Sequence, residues 1–371
     1  MKFVINSKQL YDKLQKLGKV INSKNTLPIL DNFLFIISGL RLKIVATDIE
    51  TRVGTEIEIS EVDGDGKIAI NAQQIANALK DIPNQPITIE INPLNYEISI
   101  SYENGKFLFI GVNPKEYPDP RKLKDELSFS IESDVLSSCI EATLFASASD
   151  ELRPILNGVL LDITPDSLTF VATDGHKMIK VQSNQEYLQQ RSSFVLVQKT
   201  ARILQGLLPK KNEPISVMFD LNTGVFKMLD FIITCRFVEG RFPNYESVIP
   251  KENRNVAKVS KDQLLAVLKR VSVFSNPANN LVKLDFSSNG VIASSQDIDF
   301  STSAEEMLPC EYDGESLVIG FKASFLLEIL SHLQSDDIAI KMSTADKATL
   351  IVPSSTNIST TSLIMPLMLT D

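Results

Sequence analysis

The feature that most constrains this chain is that it repeats itself. Residues 40–52 read LRLKIVATDIETR and residues 166–178 read DSLTFVATDGHKM, so a shared Val-Ala-Thr-Asp places Asp48 and Asp174 126 residues apart. A degenerate third copy at 289–301 (NGVIASSQDIDFS) puts Asp297 a further 123 residues along. Residues 26–32 (TLPILDN) match 152–158 (LRPILNG) at the same offset of 126, and Lys115-Glu116-Tyr117-Pro118 pairs with Gly240-Arg241-Phe242-Pro243. Independent markers holding one offset imply stacked copies of one unit. At 371 residues the chain is also long for a single core. We therefore expect three similar domains, 1–125, 126–253 and 254–371. The joints fall near 122–126 and 251–255, where charge is dense and apolar residues are few.

Each copy follows one coarse plan. An amphipathic helix is predicted at 8–21, 133–147 and 260–273. In the last of these Leu264, Leu265, Leu268 and Val271 fall at helical spacing behind Ser260, a candidate N-cap. Strands with two-residue alternation follow, such as Leu42-Lys43-Ile44-Val45 and Leu168-Thr169-Phe170-Val171. A second helix is predicted at 72–82, 198–208 and 321–334. Further strands close each copy, with Asn104-Gly105 marking a hairpin. Two helices and roughly eight strands per copy predict an α+β fold, with the helices on one face of antiparallel sheets.

Composition narrows the function. The opening Met1-Lys2-Phe3-Val4-Ile5-Asn6 leads directly into charged residues and lacks the apolar core of a signal peptide. The apolar run at 363–369 is far too short to span a membrane. Cys139, Cys235 and Cys310 are odd in number and widely spaced, which suggests neither a zinc site nor a disulfide framework, and points to a reducing cytoplasm.

A net charge of −9 argues at first against a nucleic-acid partner. The charge is not uniform, however. The six predicted helices, with the exit of the fourth extended to Lys211, carry thirteen basic and six acidic side chains, a net +7 that leaves −16 for the rest. Basic helices at every repeat suit sequence-independent contact with phosphates. The helices hold few aromatic residues and the chain no Trp, so stacking on single strands is not indicated and duplex DNA is the better reading.

A hydrolase is the competing reading. Asp174-Gly175-His176 has the residue types of an acid–base pair, since an Asp could orient a neighbouring His. The aligned copies read Asp48-Ile49-Glu50 and Asp297-Ile298-Asp299, so the Asp recurs while the His does not; a strand-end turn explains it without catalysis. The only other histidine is His332, and no HExxH, GxSxG or glycine-rich phosphate loop occurs.

Several of these segments together resemble the bacterial beta clamp family, the beta subunits of DNA polymerase III. They are Met1-Lys2-Phe3, Thr26-Leu27-Pro28-Ile29-Leu30, Ala172-Thr173-Asp174-Gly175-His176, Gly240-Arg241-Phe242-Pro243 and Met365-Pro366, in family order over essentially the whole chain. The resemblance implies a non-catalytic, cofactor-free processivity factor for DNA replication: a head-to-tail homodimer closing a six-domain ring around duplex DNA, helices inward. It implies a dimer contact with Phe107 and Phe109 on one side and Val273 and Phe274 on the other. It also implies a groove that receives short linear peptides from the polymerase III alpha subunit, the clamp loader and repair proteins. The matching groove positions are Arg153, Leu156, Thr173, Gly175, His176, Lys177, Met178, Pro243, Val248, Leu363, Ile364, Met365, Pro366 and Leu367. Aliphatic and Met side chains rimmed by polar groups make an adaptable slot for an extended peptide. Lys24, Lys199 and Arg202 are the implied DNA contacts. Lys322, Phe325 and Lys347 around the groove, and Ser247 and Met368, depart from the family pattern, and Thr370 and Asp371 extend past its usual end.

Overall fold

The computed structural model describes residues 1–22, 25, 27–185, 187–355 and 358–369. Six helices are found among them: α1 (Ser7–Gly18), α2 (Ala72–Lys80), α3 (Ser133–Leu144), α4 (Gln198–Leu207), α5 (Lys261–Val271) and α6 (Ala323–His332). Each coincides with an expected helix and stops one to three residues short of the expected end.

Local chemistry explains the starts. Asn6 caps α1 by accepting the Gln9 N–H (3.0 Å), and Asn71 caps α2 by accepting the Gln74 N–H (2.9 Å). Leu10, Leu14 and Leu17 then form the buried stripe of α1. Ser260 does stand at the N-cap of α5, but its side chain makes no capping bond. The buried stripe of that helix is Leu264, Val267, Leu268 and Val271; Leu265, expected in the core, is half-buried. No described helix is long and apolar enough to cross a membrane.

Packing divides the chain into two compact units, Met1–Asp134 with Arg202–Phe237, and Val135–Ala201 with Val238–Asp371. The second repeat is thus shared between them. In the first unit an eight-stranded sheet joins strands of two repeats. Its seam is Ile232–Arg236 lying antiparallel to Thr51–Glu58, with Thr234 opposite Arg52. In the second unit a nine-stranded sheet has the corresponding seam, Ser359–Ile364 against Lys177–Ser183, with Leu363 opposite Met178. Each unit also holds a smaller sheet. The strand Gly105–Ile110 is an edge of the five-stranded one, and Thr302–Leu308 is an edge of the four-stranded one.

The repeated Asp is a turn residue in all three copies. Asp48 Oδ1 accepts the Thr51 N–H (2.7 Å), Asp174 Oδ1 accepts the N–H groups of His176 (2.8 Å) and Lys177 (2.9 Å), and Asp297 Oδ1 accepts the Asp299 N–H (3.0 Å). The apolar core repeats as well. Leu30, Leu34, Val45 and Ala69 pack together in the first repeat, as do their counterparts Leu156, Leu160, Val171 and Val195 in the second. The cysteines are free thiols, and burial pushes those of Cys139 and Cys235 up to about 12.

Gly158 opens the strand paired with Ser192–Val197, and a Cβ there would lie 2.2 Å from the Leu196 carbonyl oxygen. Backbone cannot yield as a flexible side chain does. Gly158→Ala is therefore expected to destabilise the protein by about 2 kcal/mol, read as a lower urea midpoint.

Candidate functional site

The site grows out of the seam in the second unit. Strand alternation sends Met178 and Leu363 to one face of the nine-stranded sheet, where both are almost fully buried. They join Leu156, Leu160, Val171, Val195, Phe242, Tyr245, Ala348 and Leu350 in a single apolar cluster, with Ile155, Val238, Ile249 and Val352 packed at its margin. Of the expected residues outside the cluster, Val248 is 54% exposed and Met365 40%, Pro243 is exposed, and Pro366 and Leu367 are half-buried.

The strand Ser167–Thr173, which brings Val171 into the cluster, ends in a turn. Gly175 takes φ +92°, a conformation that favours glycine, and the Thr173 hydroxyl donates to the Lys177 carbonyl (2.7 Å) while accepting the Gly175 N–H (3.0 Å). Arg153 spans the opening of this turn: its Nε donates to Asp150 (2.7 Å) and its guanidinium reaches the Asp174 carbonyl (3.4 Å). The hydrogen bond from Arg153 holds the Asp150 carboxyl below the usual range. The C-terminal segment is fastened to the same place by the Met365 N–H donating to the His176 carbonyl (2.8 Å) and the Leu367 N–H donating to the Gly320 carbonyl (2.8 Å).

Lys177 is buried, and its ammonium lies 2.7 Å from Asp174, 3.1 Å from Glu328 and 4.4 Å from the centre of the Phe325 ring. Phe325 also stacks on His176 (6.0 Å) and carries the Lys322 ammonium over its face (4.8 Å). Burial works to raise the Asp174 pKa, but hydrogen bonds from the Lys177 side chain and from two backbone N–H groups outweigh it, so the carboxylate stays below its ordinary range. Both carboxylate oxygens of Asp174 are therefore taken up by the turn and by Lys177.

Of the residues expected to form a groove, Leu156, Met178 and Leu363 lie in the apolar cluster, and Arg153, Thr173, Gly175 and His176 meet at the turn after Thr173. Ile364 is fully buried and, by alternation, points to the opposite face from Leu363, as does Lys177 from Met178. Ile155, Phe242, Tyr245, Leu350 and Val352 also line the cluster and were not foreseen. The repeat offset flags Ile155 through its counterpart Ile29, but Leu350 and Val352 come from another repeat and carry no local signal.

The seam in the first unit shows how the same framework is closed. Arg52 stands where Met178 does, opposite Thr234 rather than Leu363. Its guanidinium donates to the Pro118 carbonyl (2.6 Å) and lies 5.8 Å from the centre of the Tyr117 ring. The space left there is only about 180 Å³ and is lined by Glu50, Arg52, Asp119 and Arg121 among others.

The remaining expected residues scatter. Arg202 is exposed and Lys199 half-exposed, three positions apart on α4, so they share a helix face. Lys24 lies outside the described residues. Among the other basic helix residues Lys8, Lys19, Lys80, Lys210, Lys211 and Lys269 are exposed, whereas Lys13 is tied to Asp230 (2.8 Å) and Arg270 is held by Glu306. Phe109 is buried and Phe107 half-buried; the exposed apolar residues of that strand are Leu108 at 62% and Ile110 at 71%. Val273 at 75% and Phe274 at 40% are exposed.

Comparisons with known proteins agree with this architecture along the whole chain. Family models of the DNA polymerase III beta subunit match in order, the N-terminal domain at residues 1–121, the central domain at 130–244 and the C-terminal domain at 246–368. The beta sliding clamp of Synechococcus elongatus is 29% identical over all of both chains, and that of Pseudomonas aeruginosa 26% identical over 95% of each. A Pseudomonas aeruginosa sliding clamp solved bound to griselimycin superposes with a TM-score of 0.95 at 25% identity, covering both chains in full. The Bacillus subtilis clamp gives 0.94 at 23% identity over the same extent, a likeness of fold.

Three homologous α+β domains joined by shared antiparallel sheets make this a DNA clamp fold. The chain belongs to the DNA polymerase III beta subunit family, the sliding clamps that act as processivity factors in DNA replication.

Asp174→Asn keeps the turn acceptor but removes the charge facing Lys177, and is expected to cost about 1–3 kcal/mol near neutral pH. Because the native carboxylate titrates below its unfolded value of about 4, wild type holds its full advantage above that pH and loses it as the pH falls through the native value. Urea unfolding at neutral and acidic pH measures this; an advantage that persists in acid contradicts the charged-anchor role.

Proposed function

We propose that the chain works as a head-to-tail homodimer, closing a ring around duplex DNA and tethering the replicative polymerase through the groove. The observation that carries this reading is the repeated seam. In both seams seen within the chain, the last strand of one repeat pairs with the fourth strand of the repeat before it. The equivalents left over are Gly105–Ile110 and Thr302–Leu308, each an edge of its own sheet. A second copy of the chain supplies the missing partner to both, and two such contacts close a ring. Leu108 and Ile110 on one edge, and Met307, Val273 and Phe274 near the other, are the exposed apolar residues that such a contact buries. Phe107 and Phe109 support that edge from within.

In this ring the basic faces of the helices meet phosphate without reading sequence, Lys199 and Arg202 among them, with Lys24 a further contact. Each basic side chain contributes modestly, since a ring that slides holds DNA without gripping it. The domain limits we assign are 1–125, 126–253 and 254–371. The groove of the second unit takes short linear peptides in extended form from the polymerase alpha subunit, the clamp loader and repair proteins. His176 and Phe325 form its aromatic end. The role is non-catalytic and cytoplasmic. The hydrolase reading is disfavoured because Asp174 spends its carboxylate on the turn and on Lys177, leaving no free base beside His176.

Topology gives the direct test. Loaded by a clamp loader onto a nicked circular plasmid, the protein should remain bound at moderate salt and be released when the DNA is linearised. Retention on the linear form at that salt rules out the ring. A second expectation concerns the groove: a chain ending at Ile364 should lose binding of polymerase-derived peptides by tenfold or more yet still sediment as a dimer, an order of magnitude being roughly the weight of one well-buried apolar anchor. Unchanged peptide affinity removes the groove assignment and leaves the ring untouched.

A further inference from the structure

The seam strands that bring Met178 and Leu363 together border a cavity on their reverse side. Alternation turns Met178 and Leu363 toward the groove, and it turns Ile179, Val181, Thr360 and Ser362 the other way. In the ladder Ile179 stands opposite Ser362 and Val181 opposite Thr360, and these four residues line a cavity of about 560 Å³. Ser138, Glu141 and Ala142 of α3 form one wall, and Ile329 and His332 of α6 form the other. The Phe145 ring, just beyond α3, stacks on the His332 imidazole with centroids 4.0 Å apart and planes at 12°. His332 Nδ1 lies 2.9 Å from the Glu328 carbonyl oxygen. A carbonyl only accepts, so Nδ1 carries a proton and donates it there.

Three properties distinguish this cavity from a packing defect. Its volume lies within the roughly 300–1,000 Å³ of small-molecule sites. Ser362 on its floor is fully buried, yet its Oγ has no hydrogen-bond partner in the protein, which is rare for a buried hydroxyl. Finally, the lining holds one carboxylate, exposed Glu141, and no Lys or Arg, in contrast to the basic helices elsewhere.

We propose that this cavity binds a small organic cation: an ammonium group on an aromatic body that ends in a hydroxyl. The ammonium lies against Glu141 at the mouth, the ring packs on Ile179, Val181, Ile329 and Leu333, and the hydroxyl meets Ser362 Oγ. Anions of the same shape are disfavoured because the described lining holds the Glu141 carboxylate and no Lys or Arg. All of these residues belong to one compact unit, and the proposal stands apart from the ring and groove readings.

Tyramine is the probe, titrated into the full-length protein and followed by saturation-transfer NMR. Phenethylamine lacks the hydroxyl, and 4-hydroxyphenylacetate replaces the ammonium with a carboxylate. Tyramine is expected to bind at least about three-fold more tightly than the carboxylate, the weight of one exposed ion pair. Glu141→Gln, a surface change, should erase that preference. Ser362→Ala should bring tyramine down to the affinity of phenethylamine, and Ala142→Phe should block all three compounds. The proposal is overturned by a failure of tyramine to bind at millimolar concentration, or by equal binding of 4-hydroxyphenylacetate. It is also overturned if the preference survives in Glu141→Gln.

Discussion

Everything in this protein depends on antiparallel strand pairing across repeats. The last strand of the second repeat is hydrogen-bonded to the first, and the last strand of the third is hydrogen-bonded to the second, so neither large sheet belongs to one domain. Such pairing uses backbone groups and tolerates almost any side chain, which is why copies of low identity keep one architecture. It also covers sheet edges that would otherwise invite unwanted pairing. The edges it leaves uncovered, Gly105–Ile110 and Thr302–Leu308, are where the exposed apolar side chains of Leu108, Ile110 and Met307 gather.

Once the backbone seam is set, side chains decide what each seam does. At the second seam Met178 and Leu363 extend the repeat's own apolar core across the seam to Ala348 and Leu350. At the first seam Arg52 and Thr234 occupy the same two positions, and the guanidinium fills the slot by bonding the Pro118 carbonyl. Burial lowers the Arg52 pKa, and the neighbouring Tyr117 and Asp119 work against that shift, so this seam holds a half-buried cation among compensating partners. One framework thus yields an apolar cluster at one seam and a charged, hydrogen-bonded one at the other. The difference rests on an apolar pair exchanged for a charged and a polar residue.

Much of this was legible from residue order. Helical spacing located all six helices, and the recurrence of Asp48, Asp174 and Asp297 identified a turn rather than an acid–base pair. The limits of periodicity appear at particular positions. Leu265 fits the apolar spacing of α5 yet is half-buried, because Val267 faces the sheet instead. Ile364 sits inside an apolar run, but alternation turns it away from the groove. Phe109, which the resemblance places at a dimer contact, is buried within the chain itself, while its neighbours Leu108 and Ile110 are exposed. The basic excess of the helices survives as a pattern, although Lys13 and Arg270 spend their charge on Asp230 and Glu306. Phe325 and Lys322, which depart from the family pattern, prove to be stacked around Lys177 and His176.

The amino-acid order alone determined the threefold repeat, the helix and strand content of each copy, the turn at each Asp, and the segregation of positive charge. These are local or periodic properties, set by spacing within a few residues or by similarity between copies. Tertiary structure decided that the second repeat divides between two compact units, which residues from different repeats share the apolar cluster at the seam, and that a cavity lies on the other face of those strands. The physical reason is that strand alternation specifies which residues share a face but not which strand, distant in the chain, comes to lie beside them. Leu350 meets Met178, and Ser362 meets Ile179, only through hydrogen-bonded registers that no local spacing encodes.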